Sequence, residues 1–280
     1  MPTPAAKGLR RASKSGAALP HVPVLQKLHA GRVNLRRGQL VMVAAIPNAG
    51  KSALAEWYAS QVGVPTLYIS ADQDEWTTMT RLASSITNTE SHVIAEAIGT
   101  GQDAPYREAL ASSLVAFCFD SNPSVEDIWE ELDAWVEIHD DWPALIVVDN
   151  LVNIEGSGEL QADQWIISEL HGMARITRAC VMVLVHASEA SVRDHAWPPT
   201  RKDILNKLSK FPELVLTVAN DPATNEFKVA VVKSRETKAD PTAEHPYILG
   251  VDFERMQFMP SPPSRYTYRT YSYDNEENDW

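Results

Sequence analysis

The chain has 280 residues, 44% of them hydrophobic, and a formal net charge of −12. That size supports one substantial core with short appendages, and that acidity argues against a protein that wraps nucleic acid with a broad basic surface. Two cysteines and the lack of any apolar run approaching about 18 residues exclude a disulfide scaffold and a membrane-spanning helix, and suit a reducing, cytoplasmic compartment.

Residues 1–20 are small, basic and Pro-containing, with Lys7, Arg10, Arg11 and Lys14, and read as a flexible arm without the apolar stretch of a signal peptide. Val24–Ala30 reads as a short helix. The apolar strand Gln39–Ala45 then stops at a tight loop, Ile46, Pro47, Asn48, Ala49, Gly50, followed by Lys51, Ser52 and a helix from Ala53 to Gln61. This is a phosphate trap: successive loop amides and the positive end of the helix converge on an anion, Lys51 reaches the outer phosphates and the Ser52 hydroxyl ligates Mg²⁺. The expected substrate is ATP or another nucleoside triphosphate. The first glycine of the G-x-x-x-x-G-K-[ST] pattern is Ala45, which is sterically possible only if that backbone avoids positive φ.

Thr66–Ala71 predicts the next strand, followed by Asp72 and a helix from about Asp74 to Ile98. Val115–Asp120 is a strand, and Ser124 caps a helix whose third residue is Asp127. Ala144–Asp149 is an unbroken apolar run ending in a carboxylate, the pattern of a strand buried on both faces of a parallel sheet, so Asp149 is expected beside Ser52 as a second holder of Mg²⁺. Asn150, directly after it, cannot accept a proton, so a water-activating carboxylate must come from elsewhere. Asp72 is the leading candidate, with Asp74 and Glu75 as rivals. A helix from Leu160 to Arg178 and the strand Cys180–His186 follow, then closely spaced strands at Leu214–Ala219, Phe227–Lys233 and Tyr247–Phe253 that extend the sheet through hairpins. Strands alternating with helices predict an α/β fold with a mostly parallel twisted sheet and a C-terminal antiparallel extension. Acidic groups at Glu130–Asp133 and His139–Asp141 read as solvated helix faces rather than metal sites. Tyr266–Tyr273 reads as an edge strand or tail running into the acidic Asp274–Asp279.

The order of these features resembles the RecA-like motor domain of replicative DnaB-type ring helicases. The resemblance is carried by Ala45 to Ser52, Ser70-Ala71-Asp72, Arg81, Asp149, His186 and Lys233-Ser234-Arg235, and spans residues 31–260, between a basic arm at 1–30 and a tail at 261–280. It implies a hexameric ring hydrolysing ATP with Mg²⁺ at subunit interfaces while acting on single-stranded or forked DNA, with replication proteins as possible partners. It implies a nucleotide site made by Ala45, Pro47, Asn48, Ala49, Gly50, Lys51, Ser52, Ala53 and Arg81. His186 would sense the γ-phosphate, and Lys233 and Arg235 would reach the neighbouring subunit's triphosphate. By position, the loops at 153–161 and 187–199 resemble the family's DNA-binding loops, with Ser188, Ser191, Arg193, His195, Arg201 and Lys202 as candidate contacts. Residues 24–30 would correspond to a linker helix that packs on the adjacent subunit. A chain without the family's N-terminal collar suggests a compact phage version. Two other readings stay open: a RecA-like recombination or repair ATPase, and a regulatory ATPase with a protein partner, which the net acidity favours.

Overall fold

A computed structural model of the chain describes residues 16–192 and 194–261. Among these, a short helix α1 (Gln26–Ala30) precedes a regular alternation: β1 (Leu40–Ala45), α2 (Lys51–Gln61), β2 (Thr66–Ser70), α3 (Glu75–Thr87), α4 (Ser91–Gly99), α5 (Ala104–Ala111), β3 (Val115–Cys118), α6 (Val125–His139), β4 (Leu145–Asp149), α7 (Leu160–Thr177) and β5 (Cys180–His186). Four strands close the described chain: β6 (Leu214–Asp221), β7 (Glu226–Ser234), β8 (Tyr247–Asp252) and β9 (Gln257–Met259). They form one sheet in the order β3-β2-β4-β5-β1-β6-β7-β8-β9. From β3 to β6 the pairing is parallel, and from β6 onward it is antiparallel. The fold is the α/β architecture expected from the sequence, antiparallel extension included.

The central strands are buried along their whole length because both sheet faces are covered. Val41, Val43, Tyr68, Leu145, Val147 and Met182 face α2 and the N-terminal segment, whereas Leu40, Met42, Ile146, Val148, Val181 and Val183 face α6 and α7. Ser124 caps α6 in a reciprocal capping box with Asp127. The single helix expected over 74–98 is instead two, because Asn88 takes a left-handed conformation (φ 53°) and ends α3.

Residues before the expected boundary at residue 31 also contribute to the core. Leu19, Val22, Leu25 and Leu28 recur every third residue and are buried in the chain's own core, and the strand bridge Ala18–Arg36 anchors them. This segment therefore covers its own domain, and its apolar face is already used there. The basic arm before residue 16, Arg193 and the aromatic and acidic tail from 262 lie outside the described residues.

Candidate active site

The carboxyl ends of β1, β2, β4 and β5 meet at one edge of the sheet, where ligands of open α/β sheets bind. The amides of Ala71 and Asp72 donate to the Asp149 carbonyl at 2.8 and 3.2 Å, which draws the tip of β2 against that of β4. The Ala187 amide donates to the Ala45 carbonyl at 2.8 Å, and His186 stands level with Ala45. Ala45 is an extended strand residue, so alanine costs nothing there. The left-handed residues of the loop are Asn48 (φ 60°) and Gly50 (φ 85°). Gly50 has a second reason to be glycine: a Cβ there would meet the rings of Phe227 at 3.0 Å and Phe253 at 3.1 Å.

Lys51 and Ser52 open α2 on the floor of a cleft of about 770 Å³ that Asp72, Arg81, Trp76 and Phe253 also line. The Ser52 hydroxyl donates to Asp149 Oδ1 at 3.1 Å, and the Tyr68 hydroxyl donates to Asp149 Oδ2 at 2.8 Å. Burial pushes the Asp149 carboxyl up, against the pull of those two hydrogen bonds and of Lys51. Burial lowers the Lys51 amine, opposed by Asp149 and Asp72. A hydroxyl and a carboxylate side by side are hard oxygen donors suited to Mg²⁺. Among the described residues no three His, Cys, Asp or Glu side chains converge as a metal cage, so a cation here would complete its shell with phosphate and water, the habit of Mg²⁺.

Asp72 is exposed at the cleft mouth, whereas its rival Asp74 is committed to capping α3, accepting from the Thr77 amide at 2.9 Å and hydroxyl at 2.8 Å. Those bonds hold Asp74 below the usual carboxylate range. Arg81 donates to Gln73 on the cleft wall. His186 is lowered by burial and then by Lys51, and its Nδ1 is buried without a hydrogen-bond partner among the described residues. Burial thus favours the neutral imidazole, with one nitrogen still to be satisfied.

Lys233 and Arg235 stand elsewhere. Lys233 is level with Val215, which is level with Met42, and the Arg235 amide donates to the Glu213 carbonyl at 3.0 Å beside Leu40. Both therefore lie toward the amino end of β1, roughly 10–16 Å of strand from their own phosphate loop. Burial, then Arg201 and Arg235, lower the Lys233 amine to about 8, and it donates to the Lys210 carbonyl at 2.7 Å. Of the candidate DNA contacts, Ser191, His195 and Lys202 are exposed and Ser188 is half-buried. Arg201 is half-buried and bonds Ser209 at 3.3 Å, and Arg193 is not described.

Tyr68 was not anticipated, because nothing local marks it; its partner lies 81 residues away. Glu56, one turn beyond Ser52, is likewise unanticipated. It is 2% exposed, and neither carboxylate oxygen has a hydrogen-bond partner among the described residues. Burial raises it from 4.5 to about 8, with Arg81 opposing and Asp149 reinforcing. A group raised on folding contributes stability that is complete below about 4.5 and lost as pH rises through about 8. Glu56→Gln is expected to flatten that loss, and at pH 9 to exceed wild type by on the order of 3 kcal/mol. Urea unfolding at pH 5 and pH 9 measures it, and parallel losses in both proteins would refute it.

Residues 10–192, well over half of the chain, match the family model described as AAA domain. The chain belongs to that AAA domain family. Among curated relatives it is 33% identical over 258 residues to the Gene 65 protein of Mycobacterium phage L5, covering 88% of this chain and 92% of that one. It is 31% identical over 233 residues to the Gene 65 protein of Mycobacterium phage D29, covering 79% and 95%. Among solved structures, this AAA-family chain is similar to an ATPase domain solved on its own, with a TM-score of 0.76, 16% identity, and 91% and 96% of the two chains covered. It is also similar to a DnaB-like replicative helicase studied with primase, with a TM-score of 0.75 and 17% identity. That match covers 90% of this chain but 66% of the helicase chain. The likeness establishes the fold, which is that of DnaB-like ATPase domains.

Proposed function

We propose that this AAA-family chain is an ATP-hydrolysing, DnaB-like DNA motor that works as an oligomeric ring on single-stranded DNA. The observation that carries the reading is the division of the site. Lys51, Ser52, Asp72 and Asp149 gather at one end of the sheet, while Lys233 and Arg235 lie toward the other. A triphosphate in the cleft would meet Lys51 at its outer phosphates and loop amides along its length, and Mg²⁺ held by Ser52 and Asp149 would neutralise phosphate charge. Asp72, exposed at the mouth, is suited to orienting the attacking water. The neutral His186 imidazole suits a hydrogen bond to the terminal phosphate. Arg81 of the same chain lines the cleft, and in this reading a second cation for the transition state comes from a neighbour's Arg235. The net acidity fits a ring in which each copy offers only a few contacts to a shared strand.

ATP turnover with and without single-stranded DNA, followed by strand displacement on a forked duplex, tests the reading. DNA-stimulated hydrolysis with unwinding is expected. In the same assay, Asp72→Asn should keep nucleotide affinity and lose on the order of 100-fold in turnover. Turnover indifferent to DNA would remove the motor, and stimulation without unwinding would leave only a DNA-binding ATPase.

A further inference from the structure

Glu213 sits in the short turn that leads into β6 and is nearly fully buried. Its backbone and side chain form a hub. Its amide donates to the Leu40 carbonyl at 3.0 Å, its Oε2 accepts from the Leu40 amide at 3.1 Å, and its carbonyl accepts from the Arg235 amide at 3.0 Å. Its Oε1 lies 2.9 Å from His171 Nε2 on α7 and 3.3 Å from Arg235 Nη1. A buried carboxylate has few geometries that satisfy it, and here the start of β1 and the α7 imidazole fix both oxygens. Arg235 is different, with its side chain 54% exposed, so Glu213 holds one end of a guanidinium whose other donors face outward.

We propose that Glu213 is a positioning residue for Arg235, with His171 fixing the carboxylate that does the holding. The inference rests on the neighbour-directed reading of Arg235. A long exposed arginine loses rotamer freedom on engaging an anion, and one already tethered at Nη1 has lost much of it beforehand. The same strand end carries a parallel link. Lys233 donates to the Lys210 carbonyl, and the Lys210 amine donates to Gln164 on α7 at 2.9 Å. Both cations toward the amino end of β1 are thus tied to α7, which follows directly from the loop leaving the Asp149 strand. A shift of Arg235 toward an anion on another copy pulls on Glu213, and through His171 on that helix.

The test is a double-mutant cycle on the full-length chain, read as steady-state ATPase in the presence of single-stranded DNA. Glu213→Gln keeps the size and the hydrogen bond to Leu40 but removes the charge that holds Arg235. It should lower kcat about tenfold with KM for ATP within about twofold, because the chain's own phosphate loop is untouched. Glu213→Gln in an Arg235→Ala background should have no further effect. His171→Gln, which can still donate to Oε1, should stay within about twofold of wild type, and His171→Ala should fall with Glu213→Gln. If Arg235→Ala is deficient but Glu213→Gln is silent, the positioning role is wrong and the neighbour-directed arginine stands. If Arg235→Ala is itself silent, the underlying reading fails. An equal loss from Glu213→Gln in both backgrounds, or a KM rise matching the kcat loss, assigns Glu213 a merely structural role. Thermal melting of each variant separates a loss of folded protein from a loss of turnover.

Discussion

Lys51→Ala will abolish ATP turnover and leave the fold intact. Lys51 is the first residue of α2, where alanine is an equally good helix former, and it lines the polar cleft, within reach of the charges of Asp149 and Asp72, rather than the apolar core. Burial already depresses that amine, so folding gains little from the charge, and its removal should leave the melting temperature near the wild-type value. The triphosphate loses the cation beside Ser52, and the developing charge on the transferred phosphoryl group loses its local counterpart. Hydrolysis measured by phosphate release should fall to background while circular dichroism is unchanged. A folded Lys51→Ala protein that hydrolysed ATP near the wild-type rate would remove the phosphate-trap reading altogether.

Arg235→Ala should lose roughly 10³-fold in turnover although every residue around its own phosphate loop is intact, because an arginine finger acts on transition-state charge. Arg235 is the exposed partner of its ion pair, and the buried Glu213 keeps its bonds to the Leu40 amide and His171 without it, so the folded protein should persist. The decisive experiment mixes this variant with Lys51→Ala. One protein retains a competent phosphate loop and the other a competent Arg235, so mixed assemblies contain some interfaces complete on both sides. Activity should reappear across mixing ratios and follow the fraction of such interfaces. No recovery, with subunit exchange demonstrated by an independent label, would assign Arg235 to its own subunit or to structure alone.

The strands were legible because each is a short apolar run between polar breaks. Cys180–His186 begins and ends where its composition changes, and Asp149 marks the tip of another such run. The phosphate loop was legible for the same local reason, since strand, turn and helix are contiguous. Asn88 was not, because a helical pattern continues on both sides and only the left-handed geometry shows the break. In the N-terminal segment composition marked an appendage, and the burial of Leu19, Val22, Leu25 and Leu28 was not legible because they pack on strands far along the chain. Tyr68, Glu56 and Glu213 escaped notice on similar grounds. Glu213 reaches Leu40 across 173 residues, and no local spacing carries that relation. Asp72 and Asp74 could be ranked only when Asp74 was seen spending both carboxylate oxygens on Thr77.

The tight fit at Gly50 reaches beyond its own turn. Phe227, one of the rings that would collide with a side chain there, lies near the start of β7, and Lys233 lies near the end of that same strand. Over residues 226–229 β7 is hydrogen-bonded on both edges, and β6 pairs with it on to Ser234, so β7 is a strut with one end braced on the loop that would grip a nucleotide and the other carrying Lys233 and leading to Arg235. Copies set side by side with the cations of one facing the loop of the next would join these struts end to end. If the proposed ring forms, strain entering at one loop would be handed on mechanically from protomer to protomer, each acting as a link in a closed chain.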